Sequence, residues 1–235
     1  MRRLPRIGLA LGAFAALSAQ SAMDPDNPTC PAEPDWGPAE RMVLSTREGE
    51  HMNVLVAEGI VDSTFPQRLQ EAIDADPMIG EVWLRSRGGD ARAGNEAGRI
   101  IRNYALATRI PSGWTCFSAC NFVFMGGLTR NVEPGGIFMV HMFTHTGDRS
   151  LIAETRLDGT QATAELIGEI EQSSALLATE DNDFLIRMGI SRDLLTEIMY
   201  QVQAVGTDEN PSTRYCLSDE EVVRYNVKAL PRPAQ

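Results

Sequence analysis

The chain has 235 residues, 43% of them hydrophobic, enough for one domain with a substantial buried core. Its formal net charge of −11 at pH 7 argues against nucleic acid or an anionic membrane surface as a partner, since both repel an acidic protein. It contains no internal repeat and no low-complexity tract.

Residues 1–22 have the order of a secretory signal peptide. Arg2, Arg3 and Arg6 form a basic start, and Ile7 to Leu17 form an apolar run too short to span a bilayer. Ala19-Gln20-Ser21 and Ala22 then offer cleavage sites. The expectation is a periplasmic or secreted protein with no membrane anchor after cleavage, its charge then about −14 because three arginines are lost. In an oxidising compartment four cysteines predict disulfides, and Cys30, Cys116, Cys120 and Cys216 allow three pairings. A bridge from Cys116 or Cys120 to Cys30 or Cys216 would fasten a terminal segment near the centre of the chain. A buried free thiol at Cys120 is the alternative.

Residues 23–50 are expected as an extended lead-in, rich in turn signals such as Asn27-Pro28, Pro31, Pro34 and Gly37-Pro38. The folded domain is expected over 51–230. Met52 to Val56 reads as a buried strand, and Asp62-Ser63 as a cap for a helix whose apolar face is Phe65, Leu69, Ala72 and Ile73. Val82 to Leu84 is a second strand, followed by a helix carrying Ala97, Ile100, Ile101 and Tyr104. Residues 137–143 form a later strand, and 150–188 are mostly helical, with Leu166, Ile167, Ile170 and Leu177 recurring at helical spacing. Ser218 and Glu221 make a capping box for the last helix. Alternation of short strands and helices predicts a layered α/β domain.

The chemistry concentrates between Glu81 and Phe143. Strand Val82-Trp83-Leu84 breaks into Arg85-Ser86-Arg87-Gly88-Gly89, whose paired glycines allow backbone N–H groups to approach a ligand closely. Ser118 precedes a short apolar helix, where developing anions are favoured. His141 ends a later apolar strand. A nucleophile, a base and oxyanion donors can all be drawn from this stretch.

The order of these pieces resembles the Clp protease proteolytic subunit of the Clp/crotonase superfamily. The family's strand-Ser-Pro-Gly-Gly motif is matched by Leu84-Arg85-Ser86-Arg87-Gly88-Gly89, with Arg87 in place of proline. Its nucleophile motif is matched by Phe117-Ser118-Ala119-Cys120-Asn121-Phe122 and its catalytic histidine by His141. Leu217 to Tyr225 resembles its C-terminal Leu-Ser-x-x-Glu helix. The resemblance spans about residues 52–230 and implies a layered fold of repeated strand-strand-helix units. It implies Ser118 as nucleophile, His141 as base, and Gly88 and Ala119 as oxyanion donors.

The acidic third residue has no matching motif. Glu197 and Asp193 lie nearest by counting. A Ser-Lys dyad is disfavoured because Lys228, near the tail, is the sole lysine. Arg87 reads either as a grip for a substrate carboxylate or as a solvated turn residue. Cys116-x3-Cys120 and His141-x3-His145 imitate zinc-ligand pairs, but the apolar helix and strand between them, and oxidising export, argue against a metal. His51 and His145 read as surface residues. The expected function is therefore an exported, ATP-independent serine peptidase acting on short or unfolded polypeptides, without cofactor or metal, as a possible homo-oligomer. The rivals are an inactive Clp-like binding protein and a crotonase-type enzyme acting on acyl-CoA.

Overall fold

Two buried apolar runs set the frame. β2 (Asn53–Glu58) and β3 (Ile79–Arg85) pair in parallel, as fits strands covered on both faces. The computed structural model describes residues 22–38 and 40–230, so the expected signal segment, apart from Ala22, lies outside the described residues. Around the first pair a five-stranded sheet forms in the order β1-β2-β3-β4-β6, with β1 (Val43–Arg47) antiparallel and β4 (Ala107–Ile110) and β6 (Arg130–Val132) parallel. β1 falls inside the expected lead-in, whose later part is thus a sheet strand. A second sheet has the order β5-β7-β8, from Thr115–Phe117, Ile137–Val140 and Tyr215–Cys216.

The layered α/β architecture of strand-strand-helix units is as expected. β4, β5 and the helix α3 (Ala119–Met125) form one unit; β6, β7 and the helices α4 (Arg149–Leu157) and α5 (Thr160–Met188) form the next. Each unit gives one strand to each sheet. The bridge between Ser86 and Cys116 carries the end of β3 alongside β5.

Helix α1 (Phe65–Ala75) buries Phe65, Leu69 and Ile73, as their spacing dictates. Its N-cap is Thr64 rather than the Asp62-Ser63 pair. Asp62 instead accepts from the Thr64 N–H at 3.1 Å and from Arg68 at 2.7 Å. Helix α2 (Ala91–Asn103) starts earlier than its apolar pattern suggested, because Asp90 accepts the Ala93 N–H at 2.9 Å as its cap. α2 packs closely on α3. A Cβ at Gly98 would lie 2.3 Å from the Phe122 carbonyl, so only glycine permits this approach. Helix α6 (Asp219–Arg224) has the expected Ser218–Glu221 capping box. No helix among the described residues is long and apolar enough to cross a membrane.

The disulfides are Cys30–Cys216 and Cys116–Cys120. Neither a bridge between the Ser118 region and a terminal segment nor a free Cys120 thiol is present. Cys30 pairs with Cys216 because the lead-in folds back on β8. Asn27 Oδ1 accepts the Thr213 and Arg214 N–H groups, each at 2.9 Å, and Arg214 meets Asp24 at 3.0 Å. That pairing leaves Cys116, in β5, and Cys120, in α3, to each other across the turn at Ser118.

Candidate active site

β5 and β7 are adjacent and parallel, with Phe117 opposite Met139. Ser118 and His141 follow these strands directly, so both emerge at the same carboxyl end of the sheet, the usual place for sites in parallel sheets. Ser118 Oγ lies 2.7 Å from His141 Nε2. Ser118 has φ 58° and ψ −124°, a left-handed conformation that costs a non-glycine residue about 1–3 kcal/mol. It makes a sharp turn from β5 into α3 and lifts the hydroxyl above the sheet.

Several contacts hold this turn. The Asn121 N–H donates to the Ser118 carbonyl at 2.9 Å, and Asn121 Nδ2 donates to the Met139 carbonyl at 2.6 Å. Asn121 thereby ties the serine turn to the strand that carries His141. The Cys116–Cys120 disulfide closes around the same turn. Phe117 packs on the His141 ring at 4.8 Å between centroids, and Trp36 of the lead-in stacks on Phe117. Sequence reasoning quoted Asn121 only as part of a motif; a buried asparagine on an otherwise apolar helix was the available signal.

Burial pushes the His141 pKa below its usual 6.5. A backbone hydrogen bond with Met142 works in the opposite direction, and the positive charge of Arg214 adds to the lowering. The ring is therefore neutral at neutral pH and able to accept a proton. Neither Glu197 nor Asp193 meets it: Glu197 accepts from Arg224 at 2.6 Å and Tyr225 at 2.9 Å, and Asp193 is exposed. Among the described residues no carboxylate hydrogen-bonds His141. Lys228 donates to the Val132 carbonyl.

The glycine turn lies against the serine. A Cβ at Gly88 would fall 2.6 Å from Ser118 Cβ and 3.0 Å from the Ala119 nitrogen. The Gly88 N–H donates to Ser86 Oγ at 3.0 Å. The Gly89 N–H and the Ala119 N–H have no partner among the described residues. Val61 bonds to the Gly88 carbonyl and the Asp90 N–H, a parallel pattern that turns the Gly89 backbone groups away from Val61. Arg87 is exposed and makes no ion pair with any described residue. His51 is exposed, while His145, partly covered, meets Asp148 at 3.3 Å. No group of three or more potential metal ligands occurs among the described residues, and the two cysteines of the zinc-like spacing are bonded to each other.

A cavity of about 400 Å³ opens beside the serine, with Ser118 and His141 on its wall. Its lining is mostly apolar, and Asp181 from α5 also faces it. Asp181 is 6% exposed, and burial, with the charge of Glu180, pushes its pKa up to about 6 despite a hydrogen bond from Asn95 Nδ2 at 3.1 Å. Sequence reasoning missed Asp181 and Asn95.

No family model and no curated protein matches the chain. Among solved structures it is similar to a mutant ClpP1 from Listeria monocytogenes, at 13% identity and TM-score 0.46, covering 74% of this chain and 88% of that one. It is similar to the same degree, 13% identity and TM-score 0.46, to a mutant of the 1510-N membrane-bound stomatin-specific protease, covering 74% of this chain and 75% of that one.

Proposed function

We propose that this protein is an exported serine peptidase that cleaves short or unfolded polypeptides without ATP. The observation that carries the reading is the 2.7 Å contact between Ser118 Oγ and His141 Nε2, made by a serine held in a strained turn at the mouth of a cavity. Strain of this kind persists only where surrounding structure enforces it, and it clusters at reactive groups. The two disulfides suit an oxidising compartment, where no ATP supply exists.

In the reaction, Ser118 Oγ attacks the peptide carbonyl carbon while His141 Nε2 takes the hydroxyl proton. The carbonyl oxygen gains negative charge and is met by the Ala119 N–H and by the glycine turn at Gly88-Gly89. The Gly88 donor must leave Ser86 Oγ to serve, whereas the Gly89 donor is free among the described residues. The imidazolium then protonates the departing amine, and the C–N bond breaks. Water, deprotonated by the same ring, hydrolyses the acyl ester and returns Ser118 to its hydroxyl form. No carboxylate among the described residues meets His141, so the reaction runs on Ser118 and His141 as a dyad. Exposed Leu151, Ile152, Leu157 and Ile167 on α4 and α5 support self-association.

One observation favours a rival. No carboxylate supports His141 among the described residues, which suits a binding protein that has lost catalysis. Turnover of an unfolded polypeptide without nucleotide separates the two. Wild-type protein cleaving it, with Ser118→Ala and His141→Ala each slower by about 10³-fold or more, is the expected result. No cleavage by the wild type makes it a binding protein.

A further inference from the structure

We propose that Asp181 makes the cavity beside Ser118 a receptor for a basic side chain, so that the enzyme cuts polypeptides after arginine or lysine; this rests on the peptidase reading above. Ser118 and Asp181 line one cavity, so a substrate whose carbonyl sits at Ser118 sends the neighbouring side chain towards Asp181. Most of the cavity's lining is hydrocarbon, including Ala91, Ala119, Phe122, Leu177 and Met199. An apolar passage with a single acid in its wall matches lysine and arginine, which bury a methylene stem and carry charge only at the tip. The volume of about 400 Å³ admits either.

Asp181 is short of partners. One oxygen accepts from Asn95 Nδ2, and the other accepts from none of the described residues. No arginine or lysine lines the cavity, and the charge that acts on Asp181 is that of Glu180, of the same sign. Tyr200 also lines the cavity, and burial together with the charge of Asp181 raises its pKa, so its hydroxyl stays protonated. A buried carboxyl without a counter-ion is costly, and a cation entering the cavity relieves that cost. A leucine or methionine side chain would leave the carboxyl facing hydrocarbon. A role in orienting His141 is not favoured, because Asp181 makes no hydrogen bond to that ring.

Two experiments test the assignment. The first needs no catalysis: agmatine, a guanidinium on an alkyl stem, is titrated into full-length mature Ser118→Ala protein at pH 7.5 and followed by calorimetry or NMR. Binding is expected, weaker by about tenfold or more in Ser118→Ala/Asp181→Asn. No binding, or equal binding by both proteins, overturns the proposal. The second compares kcat/KM of the wild type for peptides with arginine, lysine or norleucine on the acyl side of the scissile bond. The basic residues should be preferred, and Asp181→Asn should lower the ratio of basic to norleucine turnover about tenfold or more. An equal loss on all peptides with a shifted pH profile would overturn the proposal and make Asp181 a positioning residue. If no peptide is cut at all, the peptidase reading fails by itself, and agmatine still decides what the cavity takes.

Discussion

Replacing Asp181 by asparagine should stabilise the protein at neutral pH, and by an amount the structure sets. The carboxyl is 6% exposed, and its pKa rises from 3.8 to about 6 on folding, chiefly through burial and further through Glu180. The folded state therefore holds a proton that the unfolded chain releases between those values. The stabilising contribution is fully present below pH 3.8 and lost as pH rises to about 6. At about 1.4 kcal/mol per pKa unit, ionising Asp181 costs the fold about 3 kcal/mol above pH 6. Asparagine keeps the side-chain shape and carries no charge. Asp181→Asn should accordingly be about 2–3 kcal/mol more stable than wild type at pH 7.5 and nearly equal to it near pH 4. Urea unfolding at both pH values measures this, since the His141 titration is common to both proteins and cancels. A variant less stable than wild type at pH 7.5, or a difference independent of pH, would refute the reasoning. A gain would show binding chemistry kept at the expense of stability.

Three further outcomes are expected. The acidic limb of kcat/KM should inflect below pH 6.5, because burial lowers the His141 pKa; stability from this group, too, is lost as pH falls through the lowered value. An inflection above 6.5 would point to an unseen carboxylate partner. Removing Cys30–Cys216, which closes 186 residues of chain, should cost about 2–5 kcal/mol in urea unfolding, whereas removing Cys116–Cys120 should cost less stability but more turnover, because it braces the Ser118 turn; equal effects on both measures would contradict this. Gly88→Ala should reduce turnover by about 10²-fold or more, since its Cβ would fall 2.6 Å from Ser118 Cβ; an active variant would show that the turn can give way.

What was legible in the sequence follows from the range of the forces involved. Ser118 and His141 each end a short buried strand, and strand ends are local features that apolar runs betray. Their meeting was carried by motif order. That no described carboxylate meets His141 was not legible, because Glu197 sits at a plausible count yet is claimed by Arg224 and Tyr225, 27 and 28 residues further along the chain. The cysteine pairing depended on the lead-in folding back on β8 through Asn27 and Asp24, which no local pattern announces. Asp181 lies in the polar run Glu180-Asp181-Asn182-Asp183, which reads as a solvated face. Its phase tells otherwise: Leu177, Asp181, Phe184, Leu185 and Met188 recur at helical spacing and are the residues α5 buries. By contrast Ile167, counted among the apolar repeats, is exposed.

The central claim is that Ser118 is a nucleophile activated by His141. A fluorophosphonate incubated with the mature protein, followed by intact mass and peptide mapping, tests it most directly. The account predicts one adduct, on Ser118, absent from Ser118→Ala and slowed by orders of magnitude in His141→Ala. A wild-type protein that takes no label, or takes it on another residue, would contradict it.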